Sequence, residues 1–258
     1  MDLLFNMRDM ANIFQGLCLA QSRRYTEPLR VVRQWIHECN RVFADRLVSD
    51  KDLERFANIL VDMSKKHFEF ESEAMQAQPL VYVPFETRIG GVQSNVMEQD
   101  TAYVPVDTMQ ELTDTLEGRL REYNETNSAM DLVLFEQAAQ HVARIARIIS
   151  NPRGNALLVG VGGSGKQSLC KLASSVCGFS VFQLQVTGSF GINDLKEALK
   201  DMYRRAGVKP GEPLVFLLTD SQVVDERFLV FVNDLLSSGV IPDLFSPDEF
   251  DGIFSALR

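Results

Sequence analysis

The stretch that most constrains this chain is Gly160-Val161-Gly162-Gly163-Ser164-Gly165-Lys166-Gln167. It fits the spacing G-x-x-x-x-G-K and carries Gln167 where Ser or Thr is usual. An apolar run at residues 156–161, expected as a strand, precedes it, and a helix expected over residues 166–177 follows. Glycines at 160, 162, 163 and 165 let the backbone curl with no Cβ in the way, so that successive N–H groups turn inward around a phosphate. The start of the helix adds its positive end, and the Lys166 ammonium reaches the outer phosphates. A glycine-rich turn alone is a weak signal; strand, glycines, lysine and helix in this order point to a bound nucleotide.

Downstream, strands are expected at residues 180–185 and 214–219 and helices at 192–206 and 225–238. Such alternation implies a parallel sheet with helices on its faces, an α/β fold. The strand at 214–219 ends beside Asp220, where such a sheet presents metal and water ligands, although a carboxylate there also serves as a helix cap. The first 76 residues read differently, as a small helical unit. Apolar residues recur at helical spacing from Leu3 to Leu17, then over residues 26–43 and from Asp50 to Met63, with Asp50 a plausible cap. Residues 69–78 are polar, so a domain boundary is expected near residue 76. Over residues 77–150 an extended piece at 79–84, an exposed connection at 86–106 containing Gly90 and Gly91, and helices at 108–123 and 128–150 lead into the nucleotide-binding core at 151–258.

Charge narrows the partners. With 35 Asp and Glu against 26 Lys and Arg, the formal net charge of −9 argues against a general nucleic-acid surface, so a polyanion has to be held at a focused site. Apolar runs fall far short of the roughly 20 residues that span a bilayer, and the first residues have no signal-peptide pattern. A soluble, cytoplasmic chain without membrane partners is the expectation. Cys18, Cys39, Cys170 and Cys177 show no C-x-x-C spacing, and His37, His67 and His141 are scattered over helical stretches, so packed thiols and solvated or packed imidazoles are expected in place of a metal site.

These residues resemble one family, the dynein heavy chains, and within it the axonemal members. Residues 152–169, from Pro152-Arg153-Gly154-Asn155 through Lys166-Gln167-Ser168-Leu169, resemble the phosphate loop of the fourth AAA+ module of that motor. Met130-Asp131-Leu132-Val133-Leu134-Phe135-Glu136 resembles the segment before that loop, and Asp225-Glu226-Arg227-Phe228-Leu229 through Ile241-Pro242-Asp243-Leu244-Phe245 the segment after its second motif. Phe5-Asn6-Met7-Arg8-Asp9 with Phe14-Gln15-Gly16 resembles the helical lid of the third module.

The resemblance implies a lid at residues 1–76 and an AAA+ large subdomain at 77–258 that stops short of its remaining strands. It implies ATP or ADP with Mg²⁺, bound by residues 160–168 with Leu132 and Val133 beside the base, unless those two belong to the core. It places Arg8 as a sensor for the nucleotide of the preceding module. Thr219 then stands at the metal-side acid and Asp220 at the water-activating acid; a shift of one residue instead makes Asp220 the metal-side acid and leaves Ser221 in place of the base. Gln167, Thr219 and Asp220 are the metal candidates, with Ser168 able to act through a water, though one helical step moves it about 100° round the axis. Either register disfavours hydrolysis and implies a regulatory module. Implied partners are neighbouring AAA+ modules and, through parts absent from this sequence, intermediate and light chains and microtubules of the ciliary axoneme. Two other classes compete: a P-loop small-molecule kinase, for which residues 225–258 offer only Arg227 and Arg258, and a non-enzymatic helical assembly module with a decayed nucleotide site.

Overall fold

A computed structural model describes residues 5–21, 25–87, 103–208 and 211–257. It divides into two compact units, residues 1–151 and 152–258. The helices leading towards the glycine loop thus group with the first 76 residues. Most of the expected connection at 86–106, with Gly90 and Gly91, lies outside the described residues, as do Leu3 and Leu4.

In the first unit, helix α1 (Met7–Leu17) opens on a reciprocal cap: the Arg8 N–H donates to Asn6 Oδ1 at 2.8 Å, and the Asn6 N–H donates to Asp9 Oδ2 at 2.8 Å. Helix α2 (Pro28–Val42) starts with proline in its first turn, where the missing N–H costs no helical bond. Helix α3 (Asp50–His67) has Asp50 and Asp52 in its first turn and Lys65, Lys66 and His67 in its last, each sign facing the opposite helix pole. Asp50 is the first helical residue, and Ser49 occupies the cap position. Ile13, Cys39 and Val42 pack with Trp35, Phe56 and Leu60 in one core; Val32, Ile36 and Met75 pack with Phe68, Phe70 and Leu80 in another. Met75 lies on a short helix α4 (Ser72–Gln76) within the stretch read as polar, because a single buried methionine gives no period to detect.

Strands β1 (Tyr82–Val83) and β2 (Val104–Pro105) pair antiparallel. Helix α5 (Met109–Thr126) is capped by Thr108, whose Oγ1 accepts the Glu111 N–H at 3.1 Å, and buries Leu112, Leu116 and Leu120 as their spacing predicts. Helix α6 (Glu136–Ser150) begins later than the expected residue 128. The Asn124 side chain explains the delay: its Oδ1 accepts the Met130 N–H at 2.8 Å and its Nδ2 donates to the Met130 carbonyl at 3.1 Å, holding that segment as a loop.

A buried polar hub joins α2 to α6. Glu38 is 0% exposed, and its carboxylate accepts Arg147 Nε at 3.1 Å, Arg147 Nη2, and the Tyr103 hydroxyl at 2.6 Å. His37 Nδ1 lies 3.0 Å from the Leu80 carbonyl, which only accepts, so Nδ1 carries the proton. Arg41 and Arg144 share Asp45 at 3.2 and 3.6 Å.

In the second unit, helix α7 (Lys166–Val176) packs on strands β3 (Ser180–Gln183) and β4 (Leu214–Leu217). The two strands are parallel, with Val181 opposite Val215 and Phe182 opposite Phe216. Helix α8 (Ile192–Gly207) and helix α9 (Phe228–Ser237) contribute to a core of Phe182, Leu184, Leu195, Leu199, Met202 and Phe228. A last helix, α10 (Pro247–Leu257), lies beyond the helices read from the sequence, although Ser246 and Glu249 form a reciprocal cap around Pro247.

The α/β reading holds, with one correction. Residues 156–161, expected as a strand, have no ladder partner among the described residues: β3 pairs with β4, and Leu157, Val159 and Val161 are 89%, 87% and 78% exposed. A continuous apolar run is extended by its own preference, but becomes a strand only where a neighbour accepts its hydrogen bonds.

Candidate nucleotide-binding site

The loop is built as its sequence demands. Gly163 and Gly165 take φ of +76° and +75°, a left-handed backbone that side chains rarely adopt. Gly165 then hands over to α7, whose first helical bond runs from the Leu169 N–H to the Gly165 carbonyl at 2.9 Å. No side chain caps that end among the described residues, and an uncapped first turn with its N–H groups is the kind of helix end that binds anions. The Lys166 ammonium folds back over the loop, donating to the Gly160 and Val161 carbonyls at 2.7 and 2.6 Å and to Ser164 Oγ at 3.2 Å. A long flexible cation is thereby pre-placed at the mouth of a curled backbone, beside the positive helix end. The arrangement suits phosphate oxygens, and the ammonium adds charge-assisted bonds to them. Gln167 is exposed and Ser168 half-buried in the first turn of α7.

At the end of β4 the expected acid site has a different form. Asp220 is exposed and opens a 3₁₀ turn, Asp220–Gln222. Thr219 is gripped by Gln222, whose Oε1 accepts both the Thr219 N–H at 2.9 Å and its hydroxyl at 3.1 Å; the Ser221 hydroxyl lies 3.1 Å from Thr219 Oγ1. The buried Gln222 in turn donates from Nε2 to the Leu184 carbonyl at 2.6 Å, just past the end of β3. Sequence reasoning missed Gln222. The signal was present, since Thr219 and Gln222 have the three-residue spacing of a capping box.

The other expected site residues belong to the first unit. Arg8 is exposed on α1, and Asp9, its nearest acid in sequence, is turned to Arg46 and to the Asn6 N–H. Leu132 is half-buried and Val133 76% exposed, both before α6. The four cysteines are thiols and form no disulfide, and burial, with Glu38 adding to it, pushes Cys39 up to about 12. Among the described residues no cluster of His, Cys, Asp and Glu has a metal-holding arrangement, and no helix is long and apolar enough to cross a membrane.

Comparison with known proteins bears on all of these elements. Residues 130–258 match the family described as the P-loop containing dynein motor region D4, and residues 1–77 match the AAA+ lid domain. The flagellar outer-arm dynein beta chain of Chlamydomonas reinhardtii is 49% identical over 256 residues, covering 98% of this chain and 6% of that protein. The ciliary dynein beta chain of Heliocidaris crassispina and dynein axonemal heavy chain 17 of Homo sapiens are each 47% identical, again over 256 residues. The chain therefore spans about 6% of the length of the curated relatives it matches. With the glycine loop, its lysine and the parallel strand pair all inside the matched segment, the chain belongs to the dynein heavy chains, as a segment joining an AAA+ lid to the P-loop of motor region D4.

Proposed function

We propose that this chain holds ATP or ADP at residues 160–168 as a regulatory nucleotide site of an axonemal microtubule motor, working in the cytoskeleton of cilia or flagella. The observation that carries the reading is the Lys166 ammonium, held on the loop carbonyls beside the uncapped start of α7. Residues 1–76 act as the lid of a preceding module and residues 77–258 as part of the large subdomain of the next, so neighbouring AAA+ modules are the immediate partners. Intermediate and light chains and microtubules are reached through other parts of the heavy chain. Arg8 serves the nucleotide of the preceding module.

Hydrolysis at this site is weak or absent. A competent site orients an attacking water with a carboxylate and stabilises the transition state with an arginine finger, whose loss alone costs roughly 10³–10⁵ in rate. Here Asp220 is an exposed turn residue and Thr219 is tied to Gln222. Mg²⁺, the usual companion of a nucleotide in such loops, has only Gln167, Thr219 and Asp220 to meet. Those groups fit it poorly: an exposed neutral amide, a neutral hydroxyl with Ser221 against one of its lone pairs, and one exposed carboxylate on a turn. A kinase reading is disfavoured because Arg227, the arginine it needs beyond the second strand motif, is committed to Asp225 at 2.5–3.1 Å. The test is incubation of the protein with ATP, following bound nucleotide and released phosphate together. Retention of nucleotide with negligible phosphate release is expected; sustained multiple turnover would contradict the regulatory reading.

A further inference from the structure

At the end of β4, where the family resemblance places the acids that grip a cation, the side chains are tied to one another by hydrogen bonds. Gln222 is the reason. Its Nε2 is fastened to the Leu184 carbonyl at 2.6 Å, which fixes the amide the other way round, with Oε1 towards Thr219. That oxygen takes the Thr219 N–H at 2.9 Å and the Thr219 hydroxyl at 3.1 Å. The hydroxyl proton is held within the clasp, and the Ser221 hydroxyl at 3.1 Å lies against one of the lone pairs that a cation would need. Releasing Thr219 would leave a buried amide oxygen without a donor, a cost of about 1–3 kcal/mol. The Asp220 carboxylate sits exposed on the turn beyond. On the loop side, Gln167 replaces a hydroxyl by a longer neutral amide. Mg²⁺ demands near-octahedral oxygen geometry at roughly 2.1 Å and gives up its waters reluctantly, which this set does not repay.

We infer that the module binds its nucleotide without a divalent cation held by the protein, the Thr219–Gln222–Leu184 clasp standing where other sites place metal ligands. This rests on the nucleotide-binding reading above. Charge points the same way. The loop offers an ammonium and a helix N-terminus with no protein carboxylate in the clasp, so it attracts a free diphosphate at least as strongly as one whose charge a cation has already reduced.

The test is calorimetric titration of ADP into the protein, once with Mg²⁺ and once with EDTA in its place. The two dissociation constants should differ by less than about fivefold, a gap easily resolved on the affinity scale. The double variant Gln167→Thr, Thr219→Asp, which supplies a hydroxyl and a carboxylate, should bind ADP at least about fivefold more tightly with Mg²⁺ than without it. Gln167→Thr alone changes an exposed residue and leaves the clasp intact; it should move in the same direction if the pair of changes impairs folding. A Mg²⁺ effect of fivefold or more in the parent protein overturns the inference alone, as does a folded variant that gains none. Absence of ADP binding in either medium overturns the nucleotide reading and this inference with it.

Discussion

At Gly16 an added Cβ would lie 1.9 Å from Glu38 Oε2, so α1 reaches the buried carboxylate only because the residue has no side chain. Gly16→Ala should destabilise the first unit by about 2 kcal/mol or more through overpacking, read as a lower urea midpoint at unchanged slope. His37 makes a second prediction at this scale. Burial, then the Arg41 guanidinium, with Arg147 and Arg144 adding to it, holds its imidazole well below the ordinary 6.5, against the opposing pull of the Leu80 carbonyl. The unfolded chain thus binds the proton that the folded one refuses, and stability falls as pH drops below about 6.5. His141, lowered by burial and by Arg144, acts in the same direction. His37→Asn keeps a donor for Leu80 and removes the titration, so its melting temperature should depend less steeply on pH between about 7 and 5 than that of the parent. Neither residue was legible in this way: a glycine in a helix and a histidine on an apolar stripe look ordinary until the chain folding over them is known.

Elements were legible where their period was long and their caps local. The stripe of α5 and the Thr108 cap lie within one stretch of sequence, as do the glycines and lysine that open α7. What was missed depends on distance or on a partner. Glu38 and Arg147 are 109 residues apart, and nothing in either helix announces the pair that joins α2 to α6. Removing one member, as in Arg147→Leu, leaves a buried charge and should cost about 3–5 kcal/mol, whereas Glu38→Leu with Arg147→Leu should cost clearly less than the sum of the single changes. Denaturation of all four forms measures the coupling. The segment at 156–161 shows the reverse error, where a continuous apolar run was taken for a paired strand. Its backbone amides should exchange with solvent far faster than those of β3 and β4, which hydrogen-exchange mass spectrometry resolves by peptide.

Across the whole chain, the loop end of the candidate site could be read from sequence because a phosphate cradle is made of contiguous residues. The β4 end could not, because its character is set by Gln222 reaching across to Leu184, 38 residues earlier. That difference underlies the proposal: a contiguous glycine loop with its lysine can be read as a phosphate cradle, whereas the hydrogen-bonded end of β4 is what argues for holding a nucleotide over consuming it. Membership of the dynein heavy chains gives the loop a place, inside the P-loop motor region D4 that follows an AAA+ lid along the chain. Removal of Arg8 should accordingly leave affinity at the local loop unchanged, and a loss there would move Arg8 to this site. The central claim is that the Lys166 loop binds nucleotide, and an equilibrium titration of ADP against the parent protein and Lys166→Ala tests it most directly. The account predicts saturable binding by the parent and a loss of about tenfold to a hundredfold in the variant, in keeping with charge-assisted bonds to phosphate. Equal affinity in the two, with circular dichroism showing the same fold, would contradict it.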